Sequence, residues 1–215
     1  MRQPAQISVP PATIDEAAAE ASAVLADGGL IVIPTDTVYG IAARLDEESA
    51  VEALFAAKLR PRDGAIPALV ASVTDAQRLV SGELEAHEGL LRRFWPGALT
   101  IVVRRSDTVP DWVTAGRDTV GIRMPDSEIA QAILAAAGGA LAVTSANISG
   151  APAACEVADL PEELLRHVGL VVDGGRCPGG RASTVLDLSA HPPRVLREGP
   201  IDADELRRML PDLVT

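Results

Sequence analysis

Four apolar residues in a row, Leu30-Ile31-Val32-Ile33, follow Gly28-Gly29 and stop at a polar loop, Pro34-Thr35-Asp36-Thr37-Val38-Tyr39-Gly40. A short unbroken run of this kind, bounded by turn residues, predicts a buried strand. Just upstream, Thr13 and Glu16 have the spacing of a capping box, and the glycine pair ends the helix they open, at about Asp27. A second helix is predicted over about 47–57, and Pro61 forces Arg60 into an extended conformation. Further strand-like runs fall at 67–71, 99–103, 120–123, 141–143, 170–172, 184–188 and 194–196. Helical periods fall at about 75–80, 85–94, 127–137, 162–167 and 203–209. Strands and helices alternate without a strict βαβ repeat, which predicts an α/β (α+β) fold with helices packed on a mixed sheet. Residues 1–13 read as a loose, Pro-containing lead, 14–210 as a single domain and 211–215 as a tail. The Gly/Pro-rich stretch 174–180 reads as a loop rather than a hinge, and no internal repeat or coiled coil occurs.

Composition narrows the function. The chain of 215 residues suits one domain, and its 47% hydrophobic content supplies a substantial core. A net charge of -11 argues against a polybasic nucleic-acid surface. Two Trp, two Phe and one Tyr are too few for base-stacking platforms. The bulk signal points to a small substrate. Cys155 and Cys177 match neither a zinc spacing nor a redox pair and imply no disulfide framework, which fits a reducing cytosol. The N-terminus has a lone Arg2, several prolines and no apolar run, unlike a signal peptide. No stretch approaches the roughly 18 continuous apolar residues of a membrane span. These features are those of a soluble cytoplasmic protein without membrane contact.

Of 19 basic side chains, Lys58 is the only lysine, in Lys58-Leu59-Arg60-Pro61-Arg62. Lysine is a compact point charge and arginine a rigid planar fork. Lys58 and Arg60 therefore read as two different grips on one anionic ligand, with Arg62 facing solvent; a surface leftover is the plainer alternative. Polar clusters recur where apolar strands end: Thr35-Asp36-Thr37 after the first, Thr144-Ser145-Ala146-Asn147 after Leu141-Ala142-Val143, and Arg123 after Val120-Gly121-Ile122. Carboxyl ends of strands line the ligand crevice in α/β sheets. Taken singly, the first cluster is equally compatible with an Asx-turn and the second with a helix cap. Arg123 must reach water, a ligand anion or a neighbouring carboxylate. Together with Lys58, Arg60 and Arg197, these groups predict an anion-binding pocket.

Several familiar sites are absent. Gly175 to Ser183 mimics the glycine spacing of a phosphate-binding loop but carries Arg181 and Ala182 in place of Lys and a hydroxyl, and precedes a strand. No Gly-x-Ser-x-Gly nucleophile elbow occurs. His87, His167 and His191 have no metal spacing and read as ordinary surface or capping residues.

In order along the chain stand Ile33 to Gly40, Lys58-Leu59-Arg60-Pro61, Trp95-Pro96-Gly97-Ala98-Leu99-Thr100, Val120-Gly121-Ile122-Arg123-Met124-Pro125, Thr144 to Gly150, Asp173-Gly174-Gly175, Ser183-Thr184-Val185 and Val195-Leu196-Arg197-Glu198-Gly199. In this set and order, from about Ile14 to Leu210, the chain resembles the YrdC-like family of threonylcarbamoyl-AMP synthases, in its short form without an extra C-terminal domain. The resemblance implies a twisted mixed sheet with a deep, positively lined concave face. It implies a nucleotidyltransferase that joins L-threonine, bicarbonate and ATP into threonylcarbamoyl-adenylate and releases pyrophosphate. A separate transferase complex would then carry the group to tRNA.

By the same resemblance, Thr37, Arg123 and Ser183 would hold threonine, with backbone near Val143 closing that end. Lys58, Arg60, Thr119, Ser145, Asn147 and Arg197 would hold ATP, with Lys58 and Arg60 as the catalytic charges. Magnesium would ride on the ATP phosphates, with no protein side chain as metal ligand. Gly64 stands where an Asn often contacts nucleotide, Leu69 where some members place a His near threonine, and Ala153 where a Ser is frequent. The chemistry needs positioning and charge neutralisation more than a strong base, so the missing His-carboxylate triad is no obstacle. Two other readings stay open: a double-stranded RNA-binding or ribosome-assembly module on the same scaffold, and a paralogue with another amine acceptor.

Overall fold

The computed structural model describes residues 4–10, 12–61, 64–82 and 84–214. Helix α1 (Ile14–Ala26) starts where the capping box predicts: the Thr13 hydroxyl accepts from the Glu16 N–H at 3.2 Å, and the Glu16 carboxylate accepts from the Thr13 N–H at 2.8 Å. Such a cap contributes about 1 kcal/mol. Beyond it lie β2 (Leu30–Ile33), β3 (Gly40–Ala43) and α2 (Glu48–Ala57). Then come β4 (Ala68–Val70), α3 (Val73–Leu79), α4 (Glu88–Phe94) and β5 (Leu99–Arg104). The short α5 (Asp111–Thr114) leads to β6 (Thr119–Arg123), α6 (Glu128–Ala136) and β7 (Ala140–Ser145). The chain closes with α7 (Glu162–Leu165), β8 (Val168–Asp173), β9 (Thr184–Asp187), β10 (Arg194–Arg197) and α8 (Ala203–Arg207).

With β1 (Ala5–Ser8), these strands form a ten-stranded sheet in the order β1-β8-β2-β3-β7-β4-β6-β5-β9-β10. Pairings β1·β8, β8·β2, β4·β6 and β5·β9 are parallel, and the other five are antiparallel. The mixed sheet is therefore as the alternation predicts.

Two apolar clusters sit on opposite faces. One joins α1 and α6 (Ala17, Ala21, Leu25, Ile133, Leu134) to Ile31, Ile33, Leu141, Leu170 and Val172. The other gathers Leu30, Val32 and Ile41 with Leu54 and Phe55 of α2, and continues under β5, β6 and β9 through Leu99, Ile101, Val120, Ile122 and Leu186. Fully burying each large aliphatic side chain contributes roughly 1.5–3 kcal/mol. Strand β2 is buried on both faces, hence its unbroken apolar run. Toward β6, β5, β9 and β10, the face that α1 and α6 cover elsewhere lies open, and there the sheet forms a concave wall.

The structure corrects the sequence reading in several places. Residues 5–8 are not a loose lead: they pair with β8 in register Ala5↔Leu170 to Ser8↔Asp173. An edge strand of half-exposed residues carries no apolar run to announce it. Strand β3 was also not expected, because Gly40-Ile41-Ala42-Ala43 has low intrinsic strand propensity and is held by burial on every residue. The helix expected at about 85–94 divides into a 3₁₀ turn, Leu84–His87, and α4. In the tail, Leu213 is buried and Val214 bonds to Pro193 and Val195 beside β10. No helix among the described residues is long and apolar enough to cross a membrane. Arg62 lies outside the described residues.

Candidate functional site

The concave wall encloses a cavity of about 810 Å³. Strand alternation decides which residues line it. From β6 and the turn before it, Arg117, Thr119, Gly121 and Arg123 face the cavity, while Val120 and Ile122 enter the core. Thr100 and Val102 do so from β5, Ser183, Val185 and Asp187 along β9, and Arg194 and Leu196 from β10. Leu69, Val143 and Ser145 close the near side. Among the described residues, five arginines line the cavity (60, 117, 123, 194 and 197) against one carboxylate, Asp187, which is engaged by Arg194 at 3.3 Å. An acidic protein has thus concentrated positive charge in one concavity, where the field on a ligand is strongest.

Arg123 is almost sealed, at 5% exposure. Its Nε donates to the Gly97 carbonyl at 2.8 Å, Nη1 to Thr37 Oγ1 at 2.9 Å and Nη2 to Asp36 Oδ1 at 2.5 Å. Burial pulls the guanidinium below its ordinary value, and Asp36 pushes it back up. The ion-pair reading of Arg123 holds, and with three of its five N–H donors spent on protein, two are left. The Thr35-Asp36-Thr37 loop is organised by Thr35, whose hydroxyl accepts from the N–H of Thr37 at 3.1 Å and of Val38 at 3.2 Å and donates to the Val38 carbonyl at 2.7 Å. The 174–180 loop packs against it: Gly180 N–H donates to the Thr37 carbonyl at 2.9 Å, and a Cβ on Gly179 would sit 2.7 Å from the Asp36 carbonyl. Thr100 and Ser183 hydroxyls meet at 2.8 Å on the cavity wall. Val143 contributes its position on the wall, since its N–H is committed to the Pro67 carbonyl at 2.9 Å.

Arg60, Thr119, Ser145 and Arg197 also line the cavity, Arg197 close enough to Arg123 for its charge to lower that guanidinium further. Arg197 forks over Ser183, donating to its carbonyl from Nε at 3.0 Å and from Nη2 at 2.8 Å. Burial lowers its pKa. Arg60 arrives through the end of α2. Leu59 N–H bonds to the Ala56 carbonyl and Arg60 N–H to the Phe55 carbonyl, both at 3.0 Å, with Leu59 left-handed at φ +50°. This is a Schellman motif with leucine where glycine is usual, at a cost of about 1–2 kcal/mol. Its customary apolar contact is replaced by the Arg60 guanidinium 5.8 Å from the Phe55 ring centroid. Gly64 lies directly beneath that guanidinium, where a Cβ would collide with it. The departure at Gly64 therefore makes room for Arg60.

Lys58 and Asn147 stand apart from the other predicted ligands, being absent from the cavity lining. The Lys58 ammonium, 3% exposed, donates to the Ser145 carbonyl, to the Asn147 carbonyl at 2.7 Å and to Asn147 Oδ1 at 3.2 Å. Burial, with the charge of Arg60, draws its pKa down to about 8. Asn147 caps no helix; its Nδ2 donates to the carbonyls of Ile148 at 3.0 Å and Ala151 at 2.6 Å. Leu69 lines the cavity, whereas Ala153 and the three histidines do not.

Sequence reasoning overlooked Thr100, Arg117 and Arg194 as members of this site. The signal was present: Arg117, Thr119, Gly121 and Arg123 follow a period of two, as do Ser183, Val185 and Asp187.

Known proteins share this architecture. A family model for the Sua5, YciO and YrdC proteins, described as "Telomere recombination", matches residues 23–199. A Pyrococcus abyssi protein named threonylcarbamoyl-AMP synthase is 37% identical over 193 residues, which are 90% of this chain and 57% of that protein. A Bacillus subtilis protein of the same name is 35% identical, over 92% of this chain and 58% of its own. The crystal structure of P. abyssi Sua5 complexed with L-threonine superposes with a TM-score of 0.90 at 33% identity, over 98% of this chain and 62% of that one. This chain thus spans somewhat less than two thirds of the length of those relatives. With a model match running through the cavity residues and a fold shared along nearly its whole length, the chain belongs to the Sua5, YciO and YrdC family.

Proposed function

We propose that this chain is an L-threonylcarbamoyladenylate synthase, joining L-threonine, bicarbonate and ATP with release of pyrophosphate. The observation that carries the reading is the arginine-lined cavity: a sealed guanidinium, Arg123, with two donors to spare, and Arg60 and Arg197 on the same wall. The names of the relatives and the threonine bound by P. abyssi Sua5 support it. A volume of about 810 Å³ falls among small-molecule sites, which span roughly 300–1,000 Å³. An enclosed, arginine-lined concavity suits a nucleotide better than an RNA duplex.

In this reading the threonine carboxylate takes the two remaining Arg123 donors, with the Thr37 and Ser183 hydroxyls and the Val143 wall around it. The amine adds to carbon dioxide with loss of a proton, or to bicarbonate with loss of water, and an oxygen of the resulting carbamate displaces pyrophosphate from the α-phosphate. Arg60, Thr119, Ser145 and Arg197, backed by Lys58 and Asn147, hold the nucleotide in line. Such a displacement depends on alignment and charge compensation rather than on a base. Magnesium would come bound to the ATP phosphates and would supply further charge neutralisation there; the arginine wall suits those phosphates, and Asp187 is already held by Arg194. A recessed site also keeps the labile carbamate from water. The product would be consumed by a transferase acting on tRNA in the cytoplasm.

Pyrophosphate release tests this directly. It should require threonine and bicarbonate as well as Mg·ATP. Turnover unchanged by omitting threonine would refute the assignment, and stimulation by a different amino acid would identify another amine acceptor.

A further inference from the structure

The lone lysine carries an inference that deepens, and rests on, the nucleotide reading. All three Lys58 ammonium protons are spent inside the protein, on the Ser145 carbonyl, the Asn147 carbonyl and Asn147 Oδ1. The backbone reciprocates, because Ser149 N–H donates to the Lys58 carbonyl at 3.1 Å. Asn147 Oδ1 also accepts from Ser145 Oγ at 2.5 Å. Ser145 is the member of this knot that reaches the cavity. The left-handed backbone at Leu59 turns the chain between the two cations, so that Arg60 lines the cavity while Lys58 sits beneath the turn.

We propose that Lys58 is a positioning residue for the nucleotide, acting by locking the Ser145–Asn147 turn and thereby aiming Ser145, rather than by touching the nucleotide itself. A planar guanidinium cannot present three donors to three converging oxygens within the space of an ammonium, so arginine will not replace it. Threonine binding is built on Arg123, which shares no hydrogen-bond partner with this lock, and serves as the control.

Two measurements decide it. In wild-type protein Lys58 shares amine reactivity only with the N-terminus, so acetic anhydride labelling followed by peptide mass spectrometry reports on it alone. The expected result is slow labelling in free protein that saturating Mg·ATP changes less than twofold. Rapid labelling that Mg·ATP suppresses in proportion to occupancy would overturn the proposal. This measurement needs no variant and stands even where a variant fails to fold. The second is a double-mutant cycle on the Mg·ATP dissociation constant, with threonine affinity as control. Lys58→Met should weaken Mg·ATP about tenfold in the wild-type background but no more than about threefold when Ser145→Ala is already present, and Lys58→Arg should not rescue it. Equal losses in both backgrounds, no loss at all, or an equal loss of threonine affinity would each overturn it. Wild-type protein that binds threonine but no Mg·ATP would instead refute the nucleotide reading on which the inference rests.

Discussion

Two groups of arginines in the cavity, a sealed one and an open one, use the same side chain in opposite ways. Arg123 is enclosed, bonded to Gly97, Thr37 and Asp36 from separate segments, and its orientation is fixed before any ligand arrives. Arg197 is exposed overall with its guanidinium partly covered, and Arg60 is half-buried; among the described residues they bond to carbonyls, a hydroxyl and an aromatic ring rather than carboxylates. The sealed group resembles a mould for a planar carboxylate. The open group resembles a charged wall that a flexible polyphosphate can settle against. Binding of a small amino acid, which offers few contacts, gains most from preorganisation. A multiply charged nucleotide gains most from compensation of charge.

The contrast is most exposed at Arg123. Arg123→Met would leave the Asp36 carboxylate with the Asp126 N–H and without its cation. Removing one partner of a buried pair costs about 3–5 kcal/mol. Melting temperature should fall sharply, and threonine affinity by about a hundredfold or more as the carboxylate loses a charged, bidentate partner. Calorimetry of threonine binding within tenfold of wild type would break the picture of a preformed mould.

The open group should respond differently. Arg197→Ala removes an exposed charge that stabilises the fold by less than about 1 kcal/mol, yet it should weaken Mg·ATP about tenfold. A loss of fold stability matching that of Arg123→Met would erase the distinction between the two groups. A gentler probe is Gly64→Ala. The new methyl would displace the Arg60 guanidinium, whose flexible stem can yield, so Mg·ATP affinity should drop about threefold while threonine affinity holds. Isothermal titration with each ligand separates the two.

How far the sequence itself announces these groups follows from their construction. The capping box at Thr13, the apolar run of β2 and the polar groups at strand ends are local patterns, so most strands, the helices and the polar cavity residues at those strand ends were legible, while Thr119, Val143 and Ser183 came from the family resemblance. Strands β1 and β3 were not, because partners far along the chain stabilise them: β1 leans on β8, and β3 is threaded between β2 and β7. The pairing of Asp36 with Arg123 escaped notice for the same reason, since it exists only once β6 brings Arg123 across the loop. Lys58 shows the limit most clearly. Its rarity marked it as special, but composition cannot say on which side of the turn an ammonium lies.

The smallest effect expected is also the most specific to that lysine. Burial and Arg60 hold the Lys58 ammonium at about 8, well under the ordinary lysine value of 10.5. Below pH 8 it is charged and donates to three oxygens; above it, a lone pair must face one of them, and the turn loosens. Nucleotide affinity is therefore full below that pH and declines as pH rises through it, by about twofold between pH 7 and 8 from the charged fraction alone. The arginines stay charged throughout, so threonine affinity should not follow over this interval. Fold stability should move the other way. Between about pH 8 and 10.5 the unfolded chain holds the Lys58 proton and the folded chain does not, so this group's contribution to stability rises with pH. Lys58→Met should remove both slopes together. Affinity and melting temperature that change in the same direction across this window, or slopes that survive in the variant, would mean that some group other than the buried ammonium sets nucleotide affinity.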